Sequence, residues 1–346
     1  MLLSEFDFPF DPALVADRPV LPRDRARMLV VDRASGLRTH QHVANLPALL
    51  RPGDLVVVNN TKVMPARVPA HVHSTGKLID LLFVQDLGQG LWEVLIKGRY
   101  RPGSLIDFPD GGVGEIQERS QARTTLKVTG VNSVYDLMQA AGTMPLPPYI
   151  KRAPTKDDLQ WYQTMFAQHE GAIAAPTAGL HFTRELVEGL MKRGVELAQV
   201  TLHVGPGTFR SVKSDRIEDH RMLAEPVEVS HQTVEQIGRV RQRGNRVVAV
   251  GTTVVRALET AARGGTGIVP FQGSAELFIT PGFEFQVVDA LLTNFHLPRT
   301  TLLMLVSAFV GTGPLRSAYA EAVAQRYRFY SYGDAMLIGP GLGSAT

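Results

Sequence analysis

Two textures of apolar and polar positions divide the chain. Between about Val63 and Tyr149 the apolar residues fall in short strand-like runs, such as Lys77–Val84, Trp92–Ile96 and Thr124–Val128. Turn signals separate these runs, among them Arg101-Pro102-Gly103 and Asp110-Gly111-Gly112. Short strands at such close spacing predict a small antiparallel barrel or sandwich. From Asp157 onward helices alternate with strands. Thr183 is placed to cap a helix carrying Leu186, Val187, Leu190 and Met191, and Gly194 to end it. Val195–His203 then reads as a strand. Ser230 caps a helix bearing Val234, Ile237 and Val240 that Gly244 stops. Arg246–Val250 is short, apolar and rich in Val, which predicts a buried strand, and Thr252–Arg263 is helical again. Leu302–Phe309 is apolar nearly all round and must be buried. This alternation predicts an α/β domain. Asp54–Val58 is a further buried-strand pattern. If it joins the same sheet, the β-rich region is an insertion into the α/β domain, not a terminal domain.

Composition narrows the classes. The 346 residues suggest about two domains. A hydrophobic fraction of 44% with 20% charged residues is that of a chain with packed cores. The absence of cysteine excludes disulfides, thiolate metal sites, iron–sulfur clusters and cysteine nucleophiles. A net charge of +3 permits a polyanionic partner without demanding one. Met1–Phe10 carries Glu5 and Asp7 and no cation, unlike a signal peptide. The longest apolar run, Leu302–Val310, is far short of a membrane span. The expectation is therefore a cytoplasmic protein that does not enter a membrane.

Six segments place chemistry-bearing groups at predicted strand ends or helix starts. Val56–Val58 leads into Asn59, Asn60, Thr61 and Lys62, where ordinary turn chemistry competes with a ligand site. Ala174–Thr183 sets Thr177, His181 and Phe182 among small residues. Thr201–Arg210 runs through His203 into a Gly205-Pro206-Gly207 turn with Thr208 and Phe209. Its glycines suit backbone N–H groups aimed at an anion, and a tight hairpin is the competing reading. In Val247–Glu259 a buried strand meets Gly251, Thr252 and Thr253 at a helix start, whose free N–H groups suit a carboxylate or phosphate. Arg256 and Glu259, three apart on that helix, can pair with each other. Leu291–Thr301 holds Asn294 and His296 at the approach to the buried helix. Tyr327–Asp334 interleaves aromatic and basic residues, fitting either a stacking surface or a core-edge cluster. Arg239–Arg246 reads as a solvated helix face. No spacing suits a metal: His71 and His73 alternate on a strand without further ligands nearby. Two functions stay open on the residues alone. One is an enzyme acting on a small anionic or nucleoside-like ligand, with RNA as co-substrate; the other is a nucleic-acid-binding module. Histidines beside apolar strands favour the enzyme.

These segments, in this order, resemble the S-adenosylmethionine:tRNA ribosyltransferase-isomerases of queuosine biosynthesis. The resemblance runs over nearly the whole chain, from FDFPFDPALVADRP through RPGDLVVVNNTKVMPAR, PLPPYIKR, APTAGLHFT, VTLHVGPGTF, AVGTTVVRALE and LLTNFHLP to YRFYSYGDAMLI. The chain departs from the family pattern at Leu223, Ala224, Ala275 and Arg299-Thr300. The resemblance implies an α/β core from residues 1–63 and 153–346, with a small antiparallel β-barrel inserted at 64–152 and the active site at the junction. It implies transfer of the ribosyl portion of S-adenosylmethionine to the aminomethyl group of a 7-deazaguanine at the wobble position of tRNA with a GUN anticodon. Adenine and methionine leave, and epoxyqueuosine forms. S-adenosylmethionine is then a co-substrate, no metal is needed, and a monomer is expected. On this reading the general base is one of His181, His203, His296 or Asp334. Thr252 and Thr253 take the methionine carboxylate, with Gly251 and Arg256 beside them. Phe182, Phe209 and Tyr332 flank adenine or the sulfonium, and Asn59, Asn60 and Asn294 read base or ribose edges. Thr177, Gly205, Gly207 and Thr208 complete the co-substrate site. Lys62, Arg67, Lys97, Arg99, Lys151 and Arg152 follow tRNA phosphates.

Overall fold

The computed structural model describes residues 1–120, 123–209, 212, 214–265 and 267–342. The strands are β1 (Arg27–Asp32), β2 (Arg38–His42), β3 (Leu55–Asn59), β4 (Thr61–Val63), β5 (Arg67–Val72), β6 (Leu78–Asp86), β7 (Leu91–Ile96), β8 (Leu105–Asp107) and β9 (Val113–Arg119). They continue as β10 (Thr124–Thr129), β11 (His169–Ala172), β12 (Glu196–Leu202), β13 (Glu225–Val229), β14 (Val247–Val250), β15 (Phe271–Ala275), β16 (Ala290–Asn294) and β17 (Ala335–Gly339). The helices are α1 (Leu46–Leu49), α2 (Val134–Ala141), α3 (Asp158–Trp161), α4 (Arg184–Lys192), α5 (His231–Gln242), α6 (Thr252–Ala261), α7 (Thr301–Val310) and α8 (Thr312–Ala324).

A nine-stranded mixed sheet runs in the order β15-β13-β12-β3-β14-β16-β17-β1-β2. Its centre, β12-β3-β14-β16, is parallel. Every residue of β3 and β14 is buried because helices cover both faces, which is why these strands read as unbroken Val runs. One face packs Ile237 and Val240 of α5, Val255 and Leu258 of α6 and Met304 of α7 against Leu55, Val57 and Ala249. The other packs Leu46 of α1 and Leu186 and Leu190 of α4 against Val56, Val58 and Val248. Thr183 and Ser230 cap α4 and α5 through their hydroxyls, as their sequence positions predict.

Strands β5 to β10 close a separate antiparallel barrel in the order β10-β7-β6-β5-β8-β9. Val68, Ala70 and Val72 alternate inward along β5 and meet Phe83, Trp92 and Phe108 in a core of their own. The fold class is thus an α/β core with a small antiparallel barrel between its segments. The chain leaves the large sheet through β4, which pairs in parallel with β11 on the return. At the barrel's neck Arg67 and Thr143 exchange backbone hydrogen bonds of 3.3 and 2.8 Å. Only glycine fits beside that crossing: a Cβ on Gly142 would lie 1.9 Å from the Pro65 carbonyl oxygen.

Two expectations for arginines change. Arg246 is not on a solvated helix face; it begins the turn into β14, is 6% exposed and grips Asp54, with Nη2 2.6 Å from Oδ2. Arg256 does not pair with Glu259. Its guanidinium binds Glu225, while Glu259 accepts the N–H groups of Gln286, Val287 and Val288 at 2.8, 3.1 and 3.1 Å. Both side chains stay on α6, but burial demands partners that meet them inside, and those come from distant segments.

Candidate active site

The parallel strands β12, β3, β14 and β16 all point their carboxyl ends at one edge, where α/β sheets place ligands. A narrow cleft with about 30 Å³ of free volume opens there, the space of about one water molecule. Its floor is Gly251, Thr252 and Thr253 at the start of α6, together with Thr293 and Asn294 at the end of β16 and His296 just after it. Its walls are Thr177, Val204, Tyr149, Tyr330 and Ser331. Six segments distant in sequence meet here, those of Thr177, Val204, Thr252 and Asn294 lying at or after the ends of strands.

Hydrogen bonds fix this frame. Asn294 donates to the Tyr330 carbonyl at 2.9 Å, and the Phe295 carbonyl accepts the Tyr330 N–H at 3.0 Å. These bonds hold Tyr330 at a φ of 69°, in the left-handed region a bulky residue avoids. Asn294 also meets Thr177 Oγ1 at 3.5 Å and His181 Nε2 at 3.3 Å. Asn59 locks β3 to its neighbours: Nδ2 donates to the Leu202 carbonyl at 2.9 Å and lies 3.4 Å from Thr253 Oγ1, and Oδ1 accepts the Leu202 and Thr61 N–H groups at 3.1 Å each. Asn60 turns the other way, to Gln199 Oε1 at 3.2 Å and Thr201 Oγ1 at 2.7 Å. Tyr149, from the linker out of the barrel, lies against Tyr330 with ring centroids 3.7 Å apart and planes tilted by 38°, and bonds Ser331 through its hydroxyl. Burial pushes both phenols above their ordinary pKa.

The three histidines occupy different settings. His296 lines the cleft, with Nε2 3.0 Å from Thr293 Oγ1, and burial lowers its pKa to about 3. His181 lies behind Asn294; burial, then the charges of Arg23 and Arg328, lower it to about 4. His203 bonds Thr61 Oγ1 through Nδ1 at 2.8 Å, and burial lowers it too. Its ring lies so close over Gly171, φ 144°, that a Cβ there would come within 2.8 Å of Nδ1. Asp334 is 2% exposed and accepts the N–H groups of Arg27 and Arg328 at 3.1 and 2.8 Å, so its oxygens are engaged in holding the loop that carries Tyr330.

A buried neutral histidine is a liability in acid. Unfolded, His296 takes up a proton near pH 6.5; folded, not until about pH 3. Stability is full above the unfolded value and falls as pH drops toward the folded one. Between pH 7 and pH 5 His296 alone should cost about 2 kcal/mol. Denaturant midpoints at the two pH values check this: a His296→Gln variant should lose about that much less than the parent, and an equal loss in both would contradict it.

The remaining expected site residues divide. Phe182 packs on Phe166 inside the α4 face, with ring centroids 5.4 Å apart, and does not line the cleft. Tyr332 is buried and donates to Asp158 Oδ1 at 3.0 Å. Arg152 clasps the same Asp158 with two bonds of 2.7 Å. Burial alone would raise the Asp158 carboxyl, but Arg152 and the Thr155 and Tyr332 donors hold it down at about 2. Arg152 is thereby a strut between the barrel linker and the core. Lys62 pairs with Glu170 and Arg67 with Asp80, both at 2.8 Å, while Lys97, Arg99 and Lys151 are exposed. The Gly205 N–H is not left for an anion: Glu225 accepts it at 2.8 Å. Gly207 sits under Leu223. The side chains of Thr208 and Phe209 lie outside the described residues. Phe329 and Tyr327 of the aromatic segment are core, packed on Phe295 and Tyr319. Of the departures from the family pattern, Arg299 pairs with Asp7 and Thr300 caps α7. Tyr149 lies in the PLPPYIKR segment, but nothing in the sequence gives it a role in the site; Glu225 carries no periodic or motif signal, and both roles emerge only from the fold. Among the described residues no group of three His, Asp or Glu side chains is placed to share a metal ion, and no single helix is long and apolar enough to cross a membrane.

Residues 3–338 match the family described as Queuosine biosynthesis protein. The chain belongs to that family. It is 49% identical to the S-adenosylmethionine:tRNA ribosyltransferase-isomerase of Acidithiobacillus ferrooxidans, over 98% of this chain and 99% of the relative. It is 45% identical to the enzyme of that name from Citrifermentans bemidjiense, over 98% and 100%. Among solved structures it resembles the S-adenosylmethionine tRNA ribosyltransferase of Thermotoga maritima, with 38% identity, a TM-score of 0.57, and coverage of 97% of this chain and 100% of the other. The family is one of transferase-isomerase enzymes, and the strand-end cleft is where this member of it gathers its polar groups.

Proposed function

We propose that the protein transfers and isomerises the ribosyl portion of S-adenosylmethionine onto the aminomethyl group of a 7-deazaguanine at the wobble position of GUN-anticodon tRNA. The product is epoxyqueuosine in RNA, with release of adenine and methionine. The observation that carries this reading is the convergence of a helix start, an amide and a neutral histidine in one strand-end cleft between core and barrel linker.

The chemistry sets four demands. The sulfonium acidifies the adjacent 5′ carbon, and a base must take that proton. Adenine must leave the anomeric carbon, the amine must attack the sugar, and sulfur must depart as neutral methionine when the epoxide closes. The site must therefore hold a carboxylate, orient a ribose, accept a proton and keep water out. The free N–H groups at the start of α6, with the Thr252 and Thr253 hydroxyls, suit the methionine carboxylate. Asn294 and Thr177 suit the ribose hydroxyls. His296 is the base: of the four candidates it alone lines the cleft. The rings of Tyr149 and Tyr330 part to admit the nucleoside, because they form the wall shared by the barrel linker and the loop after α8. Lys97, Arg99 and Lys151 face RNA phosphates. The parts divide as residues 1–63 and 153–346 for the core and 64–152 for the barrel. The enzyme works as a cytoplasmic monomer.

The test is incubation with S-adenosylmethionine and an anticodon stem-loop bearing 7-aminomethyl-7-deazaguanine. Adenine and methionine should appear in equal amounts as the RNA gains a ribosyl-derived mass. Equal adenine release with a stem-loop carrying plain guanine, or none with the modified one, would refute the proposal.

A further inference from the structure

A second, larger cleft of about 370 Å³ lies on the other side of the carboxyl end of β3. It follows the outer edge of β12. Of the β12 residues only Thr201 and Leu202 pair with β13, so the edge before them is open. Glu196 donates to Asp54, and Val200 accepts from Asn60, so these residues spend their backbone groups on β3. The intervening Leu197 and Gln199 point theirs outward. Their carbonyls are already occupied, Leu197 by Gln236 Nε2 at 3.3 Å and Gln199 by Thr233 Oγ1 at 2.7 Å. An added peptide strand needs both the N–H and the C=O row, so this edge cannot take one.

The lining is amide and hydroxyl: Asn60, Gln168, Gln199, Gln232, Thr201 and Ser230 among others, with His169 and Glu228. Among the described residues no lysine or arginine lines it, and the Glu228 carboxylate repels phosphate. What such a wall recognises is an uncharged planar group carrying donors and acceptors on one edge, which is how unstacked RNA bases are read. The consecutive asparagines divide the two clefts. Asn59 turns toward Thr253 and the reaction cleft, Asn60 toward Gln199 and this one. We propose that the β12-edge cleft holds a nucleobase of the substrate RNA next to the modified one, read through side-chain amides. The inference rests on the function proposed above.

The test is a cycle between protein and RNA. Gln168 and Gln232 are exposed, lie on different segments around the cleft, and have no part in the reaction proposed above. A Gln168→Ala/Gln232→Ala protein should keep its circular dichroism spectrum, its affinity for S-adenosylmethionine and its kcat at saturating RNA. Its KM for the modified stem-loop should rise about tenfold, the scale of a lost bidentate base contact. Stem-loops made abasic at the 5′ or the 3′ neighbour of the modified base complete the cycle. One of them should bind the parent equally weakly and show no further loss with the variant. Additive losses with both abasic RNAs, or no loss from the abasic sites in the parent, would overturn the proposal. A parent enzyme that fails to act on the modified stem-loop at all would instead strike the proposed function.

Discussion

Glu225→Ala should lower the free energy of unfolding by about 3–5 kcal/mol, the cost of breaking a buried ion pair by removing one partner. Glu225 is 3% exposed and Arg256 is 4% exposed. The guanidinium has other bonds, Nη2 to the Ala275 carbonyl at 2.7 Å and Nε to the Leu277 carbonyl at 3.3 Å. These carbonyls carry no formal charge, so they do not neutralise a cation held away from water. The same carboxylate takes the Gly205 N–H, so its loss also frees the turn between β12 and the segment covering Gly207. Guanidinium denaturation measures the change. A Glu225→Met/Arg256→Met protein separates charge from packing: removing both ions should restore most of the stability. A single variant within 1 kcal/mol of the parent would show that the pair is not desolvated as its burial implies.

That ion pair also marks the limit of what the sequence discloses. Arg256 and Glu259 are three apart on one helix, and local spacing makes them partners. Helix α6 is buried nearly all round, however, and there the neighbours are set by the sheet order. Strands β13 and β15 bring Glu225 and the Ala275 carbonyl to Arg256, pairings across 31 and 19 residues. By contrast, β3 and β14 are legible because a strand covered on both faces must be apolar throughout. The barrel is legible because its short strand-like runs stand close together, separated by turn signals such as Arg101-Pro102-Gly103. The insertion was foreseeable for the same reason: Asp54–Val58 is a parallel-strand pattern lying before the barrel. The site divides along the same line. Thr252, Thr253, Asn294 and His296 are read at the ends of predicted elements, and they line the cleft. Phe182 and Tyr332 have the chemistry of ligand contacts, but Phe166 and Asp158 claim them. Tyr149 stands in the PLPPYIKR segment, but its role is not legible there, because it depends on a linker returning to touch Tyr330 across 181 residues, a contact no local pattern encodes.

His296→Gln should reduce kcat by 10²–10⁴, roughly the share a positioned general base supplies, with S-adenosylmethionine binding kept. The choice among the four candidates follows from what each group has left to give. Asp334 accepts N–H groups on both oxygens, and His181 faces Asn294 under the field of Arg23 and Arg328. His203 is tied to Thr61 and does not line the cleft. His296 lines it, and the Thr293 hydroxyl steadies its ring. Glutamine keeps a polar partner for Thr293 and removes the basic nitrogen, so it tests proton transfer more than packing. With a pKa near 3, His296 stays neutral across the working range, and kcat/KM should show no acid limb from it between pH 5 and pH 8. His181→Gln and His203→Gln should each cost less than tenfold in kcat. A His296→Gln enzyme with near-normal kcat, beside a His181→Gln or His203→Gln enzyme that has lost it, would transfer the role to that residue.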